Sequence, residues 1–136
     1  MADTDGFVSV PITNDTDIVV ARQRGRELAQ TIGFKGSDLT MIATAISEVA
    51  RNIVVYAKRG ELRLSAATSA DSKGIVVVAI DEGPGIADID KAMTDGFSTG
   101  GSLGLGLPGA RRLMDELEVI SEVGKGTTIT MRKWLR

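Results

Sequence analysis

Glu48 and Asn52 stand four residues apart in the run Ser47-Glu48-Val49-Ala50-Arg51-Asn52. On a helix such a pair shares one face. A carboxylate there can take a proton from an attacking hydroxyl, while the neutral amide oxygen of asparagine can ligate magnesium without adding charge. The same two residues also suit an ordinary solvated helix face. A second group, Asp81-Glu82-Gly83-Pro84-Gly85, directly follows an apolar run. A carboxylate at a strand end, beside glycines that leave room for a flat ring, can accept a hydrogen bond from the exocyclic amine of adenine. A tight turn uses the same residue types, and the two roles are compatible.

The segment Leu103-Gly104-Leu105-Gly106-Leu107-Pro108 leads into a helix whose free N–H groups and dipole favour phosphate. Gly104 to Gly109 also fits the G-x-G-x-x-G pattern of dinucleotide enzymes, but no strand immediately precedes it and too few residues follow to complete that fold. There is no G-K-[ST] and no H-R-D, which removes the P-loop and the ordinary protein kinases. Gly124-Lys125-Gly126-Thr127-Thr128 by itself reads as a hairpin turn.

The elements that position these groups follow from periodicity. Phe7 to Ile12 alternates like a half-buried strand, and Asn14-Asp15-Thr16 supplies cap residues for a helix from about Asp17 to Ile32, stopped by Gly33. The cationic residues Arg22, Arg24 and Arg26 of that helix fit a solvated face or a partner surface. Leu39, Ile42, Ile46, Val49 and Ile53 recur at spacings of three and four, which predicts a second helix from Ser37 or Asp38 to about Lys58. With Glu48 at zero on a helical wheel, Asn52 lies near about 40°, away from that apolar set. Glu61 to Thr68 and Gly74 to Ile80 read as a hairpin. The second of these, apolar on both faces, belongs at the centre of the sheet. A third helix is expected from Pro108 to about Glu116. A final hairpin pairs Leu117–Glu122 with Thr127–Trp134. The order is β-α-α-β-β-loop-α-β-β.

The 136 residues suit one domain with one core. The net charge of −2 argues against a broad basic nucleic-acid surface. With neither cysteine nor histidine, disulfides, thiolate metal sites, Ser-His-Asp hydrolysis and self-phosphorylation on histidine are all excluded. Any metal must take oxygen ligands. An acidic start at Met1-Ala2-Asp3-Thr4-Asp5 is not expected to be a signal peptide, and no membrane span is expected.

Taken in order, Glu48-x-x-x-Asn52, Asp81-x-Gly83-x-Gly85, Gly104-x-Gly106 and Gly124-x-Gly126-Thr127 resemble the four nucleotide-binding boxes of the GHKL superfamily. Gyrase, Hsp90, histidine kinases and MutL belong to it. The resemblance runs from about Asp15 to Trp134 and makes residues 1–136 a single GHKL domain. It implies an α/β two-layer Bergerat sandwich, with a mixed, mainly antiparallel sheet and helices on one face. In size the chain resembles the minimal anti-sigma-factor kinases. Its segments 47–52 and 103–116 are similar to RsbT-type serine/threonine kinases of the stressosome.

The resemblance implies ATP and Mg2+ as cofactors, with Glu48 as general base and Asn52 as magnesium ligand. Asp81 would read adenine in a pocket shaped by Gly83 and Gly85. Gly104, Leu105 and Gly106 would meet the phosphates as part of a lid, and Thr127 would support the adenine end. The implied partners are STAS-domain scaffold and antagonist proteins as substrates and a PP2C-type phosphatase as target, in the cytoplasm. Arg51 departs from the Ser or Thr that anti-sigma kinases often carry there. An anti-sigma factor, or a nucleotide-dependent binding module without turnover, is the competing expectation.

Overall fold

The computed structural model describes residues 7–86, 93 and 106–136. Strand β1 (Val8–Ile12) leads into helix α1 (Asp15–Ile32) and helix α2 (Ser37–Asn52). Strands β2 (Gly60–Ser69) and β3 (Ser72–Asp81) follow, then helix α3 (Gly106–Leu113) and strands β4 (Glu116–Glu122) and β5 (Gly126–Trp134). The sheet order is β1-β2-β3-β5-β4. All four pairings are antiparallel, so the expected mixed character is absent among the described residues. β3 takes the centre, as its apolar run predicts.

Local chemistry sets the ends of α1. The Asn14 side chain accepts from the Asp17 N–H at 3.0 Å, while the Asp17 carboxylate accepts from the Thr13 N–H and hydroxyl, each at 2.8 Å. The first bond satisfies a donor that the first turn leaves open, and the other two fix the chain's entry at Thr13. The Thr13 side-chain and backbone donors hold the Asp17 carboxyl below its ordinary range. At the other end Gly33, at φ 128°, lets the Phe34 N–H reach the Ala29 carbonyl and its own N–H reach Gln30. That is a Schellman closure, and it turns Phe34 into the core.

Ile18, Ala21, Gly25 and Ala29 form the buried stripe of α1. A Cβ on Gly25 would overlap the terminal methyl of Ile46, so this glycine leaves the space that the Ile46 side chain fills between α1 and α2. The five apolar residues predicted for the α2 stripe are all buried. They lie over Leu62, Leu64, Ile75, Val77, Ala79, Ile129 and Met131 from one face of the sheet. Pro11 costs the ladder nothing, because β1 is an edge strand.

Most element ends fall within two residues of the sequence expectation, and the differences that bear on the site lie in α2 and α3. The α-helical bonding of α2 ends at Asn52, and residues Ile53–Ala57 continue as a wider π-turn closed by Lys58 N–H to Ile53 carbonyl at 2.9 Å. α3 starts two residues before Pro108, which still occupies the first turn. It ends at Leu113 rather than Glu116, because the Asp115 N–H already bonds to the Arg132 carbonyl and draws the chain into the sheet. By length and mean hydropathy (1.2) the 21 residues Ser37–Ala57 also pass as a membrane span, a test that the core helix of a sandwich passes equally. Here their apolar side chains build the core of the sandwich.

Candidate functional site

One rung of the sheet collects the polar candidates. The registers align Ile12 with Gly60, Gly60 with Asp81, Asp81 with Thr127, and Thr127 with Ser121. Because cross-strand partners share a face, Asp81, Thr127 and Ser121 all project toward the helical layer. Thr127 is the sole buried polar side chain among the described residues, at 5% exposure.

Glycines bring backbone close to this rung. A Cβ at Gly126, which sits at φ 124°, would strike the Asp81 carbonyl. A Cβ at Gly83 would lie 2.5 Å from the Ala57 Cβ, so the loop after β3 packs against the π-turn that extends α2. The turn's extra width therefore lies where the Asp81 loop approaches. Gly85, at φ 79°, faces the Glu122 carbonyl, and the Gly124 N–H donates to the Pro84 carbonyl at 2.9 Å. Loop 82–86 and the β4–β5 turn are thus bound to one another. Asp81 Oδ1 accepts from the Gly83 N–H at 2.9 Å, the Asx-turn geometry that the sequence allowed alongside a binding role.

Glu48 and Asn52 occupy the last turn of α2, both half-buried, next to the fully buried Val49 and Ala50. Asn52 immediately precedes the π-turn that contacts Gly83. Gly106, at φ 50°, opens α3, and α3 packs against α2. Gly104 and Leu105 lie outside the described residues.

Ser121 is a site residue that the motif reading did not single out. Its hydroxyl accepts from the Ile86 N–H at 2.7 Å and lies 3.1 Å from the Gly126 carbonyl and 2.8 Å from Thr127 Oγ1. It ties the glycine loop to the last hairpin. A signal for it existed: a turn centred on Gly124 places 121 opposite 127.

The antiparallel sheet with helices on one face and this rung at its end define an α/β sandwich of the GHKL type. A mycobacterial sensor histidine kinase, MprB, shares the fold with TM-score 0.56 at 16% identity, covering 93% of this chain and 97% of that one. A family described as the histidine kinase-like ATPase domain matches residues 12–133. The chain is 51% identical over 127 residues to the serine/threonine-protein kinase RsbT of Bacillus subtilis, covering 93% of this chain and 96% of that protein. It is 37% identical over 103 residues to an anti-sigma F factor of Caldanaerobacter subterraneus, covering 72% and 71%. The chain belongs to the histidine kinase-like ATPase family and is an enzyme of the ATPase and kinase type.

Proposed function

We propose that this protein is a serine/threonine kinase that moves the γ-phosphoryl group of ATP onto STAS-domain scaffold and antagonist proteins of a stressosome. When released from them it activates a PP2C-type phosphatase. The observation that carries the nucleotide site is the Asp81–Thr127 rung, closed on one side by glycine backbone and on the other by the end of α2. The 51% identity to a serine/threonine kinase supports the choice of acceptor.

In this reading Asp81 accepts the adenine amine, Gly83 and Gly85 let the loop lie flat beside the base, and Thr127 holds the adenine end. Gly104, Leu105 and Gly106 present N–H groups to the phosphates at the start of α3. Glu48 takes the proton of the substrate hydroxyl as its oxygen bonds to the γ-phosphorus. The bond from that phosphorus to the β–γ bridging oxygen breaks, and ADP leaves. Such transfer is mainly positioning and charge neutralisation.

The donor set fits magnesium that arrives with the nucleotide. Among the described residues no three acidic side chains cluster to cage an ion, and Asn52 offers one neutral oxygen. Magnesium commonly takes one or two protein ligands and completes its shell with phosphate oxygens and water. Bound there, it would neutralise charge on the transferring phosphate.

The 37% identity to an anti-sigma F factor favours a second reading, in which nucleotide sets the shape of a sigma-binding protein. One experiment separates them. The protein is mixed with Mg-ATP and candidate STAS-domain proteins, and phosphorylated residues are mapped. A labelled Ser or Thr supports the kinase; no label on any candidate, with tight binding to a sigma factor, supports the alternative. A cytoplasmic location accompanies either reading.

A further inference from the structure

A serine hydroxyl carries one proton and two lone pairs. Among the described residues three groups reach the one on Ser121: the Ile86 N–H at 2.7 Å, the Gly126 carbonyl at 3.1 Å and the Thr127 hydroxyl at 2.8 Å. The first can only donate and the second can only accept. A single assignment therefore places a proton in all three contacts. Ser121 gives its proton to Gly126, and Thr127 gives its proton to Ser121. The reverse choice, Ser121 donating to Thr127, leaves two oxygens facing one another at Gly126 with no proton between them.

Thr127 then has no proton left for a ligand and presents only lone pairs. Directly across the rung, the Asp81 carboxylate is also an acceptor, with Oδ1 already holding the Gly83 N–H. We infer that Ser121 is a specificity-determining positioning residue: by fixing Thr127 as an acceptor, it makes the rung select a base with an amino donor over one with an oxo group. At 5% exposure Thr127 has little water with which to correct a mismatched polarity, so the choice of proton direction carries weight. Ser121 itself sits beside Thr127 on the edge strand β4 and acts through Thr127 and the Ile86 backbone.

This inference rests on the nucleotide-site reading above, and its test keeps the two apart. ATP and inosine triphosphate carry the same sugar and phosphates but differ by an amino or an oxo group on the base. Equilibrium binding of each, as the magnesium complex, is measured for the full chain, Ser121→Ala and Ser121→Thr. Removing the serine hydroxyl frees the Thr127 proton to meet an oxo group, so the ATP preference should fall about tenfold in Ser121→Ala. Ser121→Thr, which keeps the hydroxyl on a strand that favours β-branching, should restore it.

Equal weakening of both nucleotides in Ser121→Ala, with the preference intact, would show a merely structural serine and overturn the inference. So would an unmodified chain that binds the two nucleotides equally. An unmodified chain that binds neither overturns the nucleotide site itself. If Ser121→Ala does not melt cooperatively, Ser121→Cys, which keeps the size but hydrogen-bonds weakly, is read against the same two outcomes.

Discussion

The two ends of the central strands use polar groups in opposite ways. At the far end, where β5 leaves the sheet, the groups are spent on one another. Asp115 accepts from the Trp134 N–H at 2.8 Å and from Arg136 at 2.6 Å. Glu116 accepts from Trp134 Nε1 at 3.0 Å and from Arg132 at 3.3 Å, and Lys133 donates to the Leu113 carbonyl at 2.9 Å. At the near end Asp81 holds one loop N–H, and Thr127 shares its hydroxyl with Ser121, while glycines at 83, 85 and 126 draw backbone close. Charged clamps fix the end of β5; sparse acceptors beside bare backbone leave capacity for a ligand.

Variants at the two ends should therefore separate function from stability. The largest effect is expected beside the near end, at Glu48. Glu48→Gln should retain ATP and lose phosphoryl transfer by on the order of 10²–10⁴-fold, as expected for loss of a general base. Single-turnover transfer to a STAS-domain substrate checks it, and an unchanged rate would remove Glu48 as the base.

Next comes Gly126→Ala. The new methyl group meets the Asp81 carbonyl and the Glu82 backbone at a φ of 124°. A destabilisation of about 2–3 kcal/mol is expected, with weakened ATP binding because Asp81 must move. Urea titration with and without nucleotide measures both.

The smallest effect is expected from Asp115→Asn, which keeps an acceptor for Trp134 but loses the charge facing Arg136. It should cost about 1 kcal/mol and leave ATP affinity unchanged. Burial pushes the Asp115 carboxyl up, yet the Trp134 N–H and Arg136 outweigh it and hold the group below its ordinary value of 3.8. Its contribution is therefore complete above that value and disappears as pH falls through the lower folded value. Stability curves of the parent and Asp115→Asn should converge in that acid range. A difference that persists there would deny the charge its role.

Much of this molecule is legible in its sequence, wherever the controlling chemistry is local. Asn14 caps α1, Gly33 ends it, and the apolar spacing of α2 marks its buried side, all through contacts within a few residues. The hairpins were legible for the same reason. The π-turn after Asn52 was not, since the apolar period runs on through Ile53 and its relation to Gly83 is tertiary. The early end of α3 depends on Arg132 and Trp134, some twenty residues further on. Of the candidate site, Asp81, Gly83, Gly85 and Thr127 stand out in the sequence because their order matches a family pattern, and the fold brings them to one end of the sheet. Ser121 escaped because a lone serine in an alternating strand has no motif; only its register reveals it.

The central claim is that adenine nucleotide binds at the Asp81 end. It is tested most directly by titrating Mg-ATP in parallel into the unmodified chain, Asp81→Asn and Asp115→Asn, all of which keep the acceptors for their local backbone bonds. The unmodified chain and Asp115→Asn should bind alike, and Asp81→Asn should bind on the order of 100-fold more weakly at nearly unchanged melting temperature. Equal affinity in all three, or a loss confined to Asp115→Asn, would contradict it.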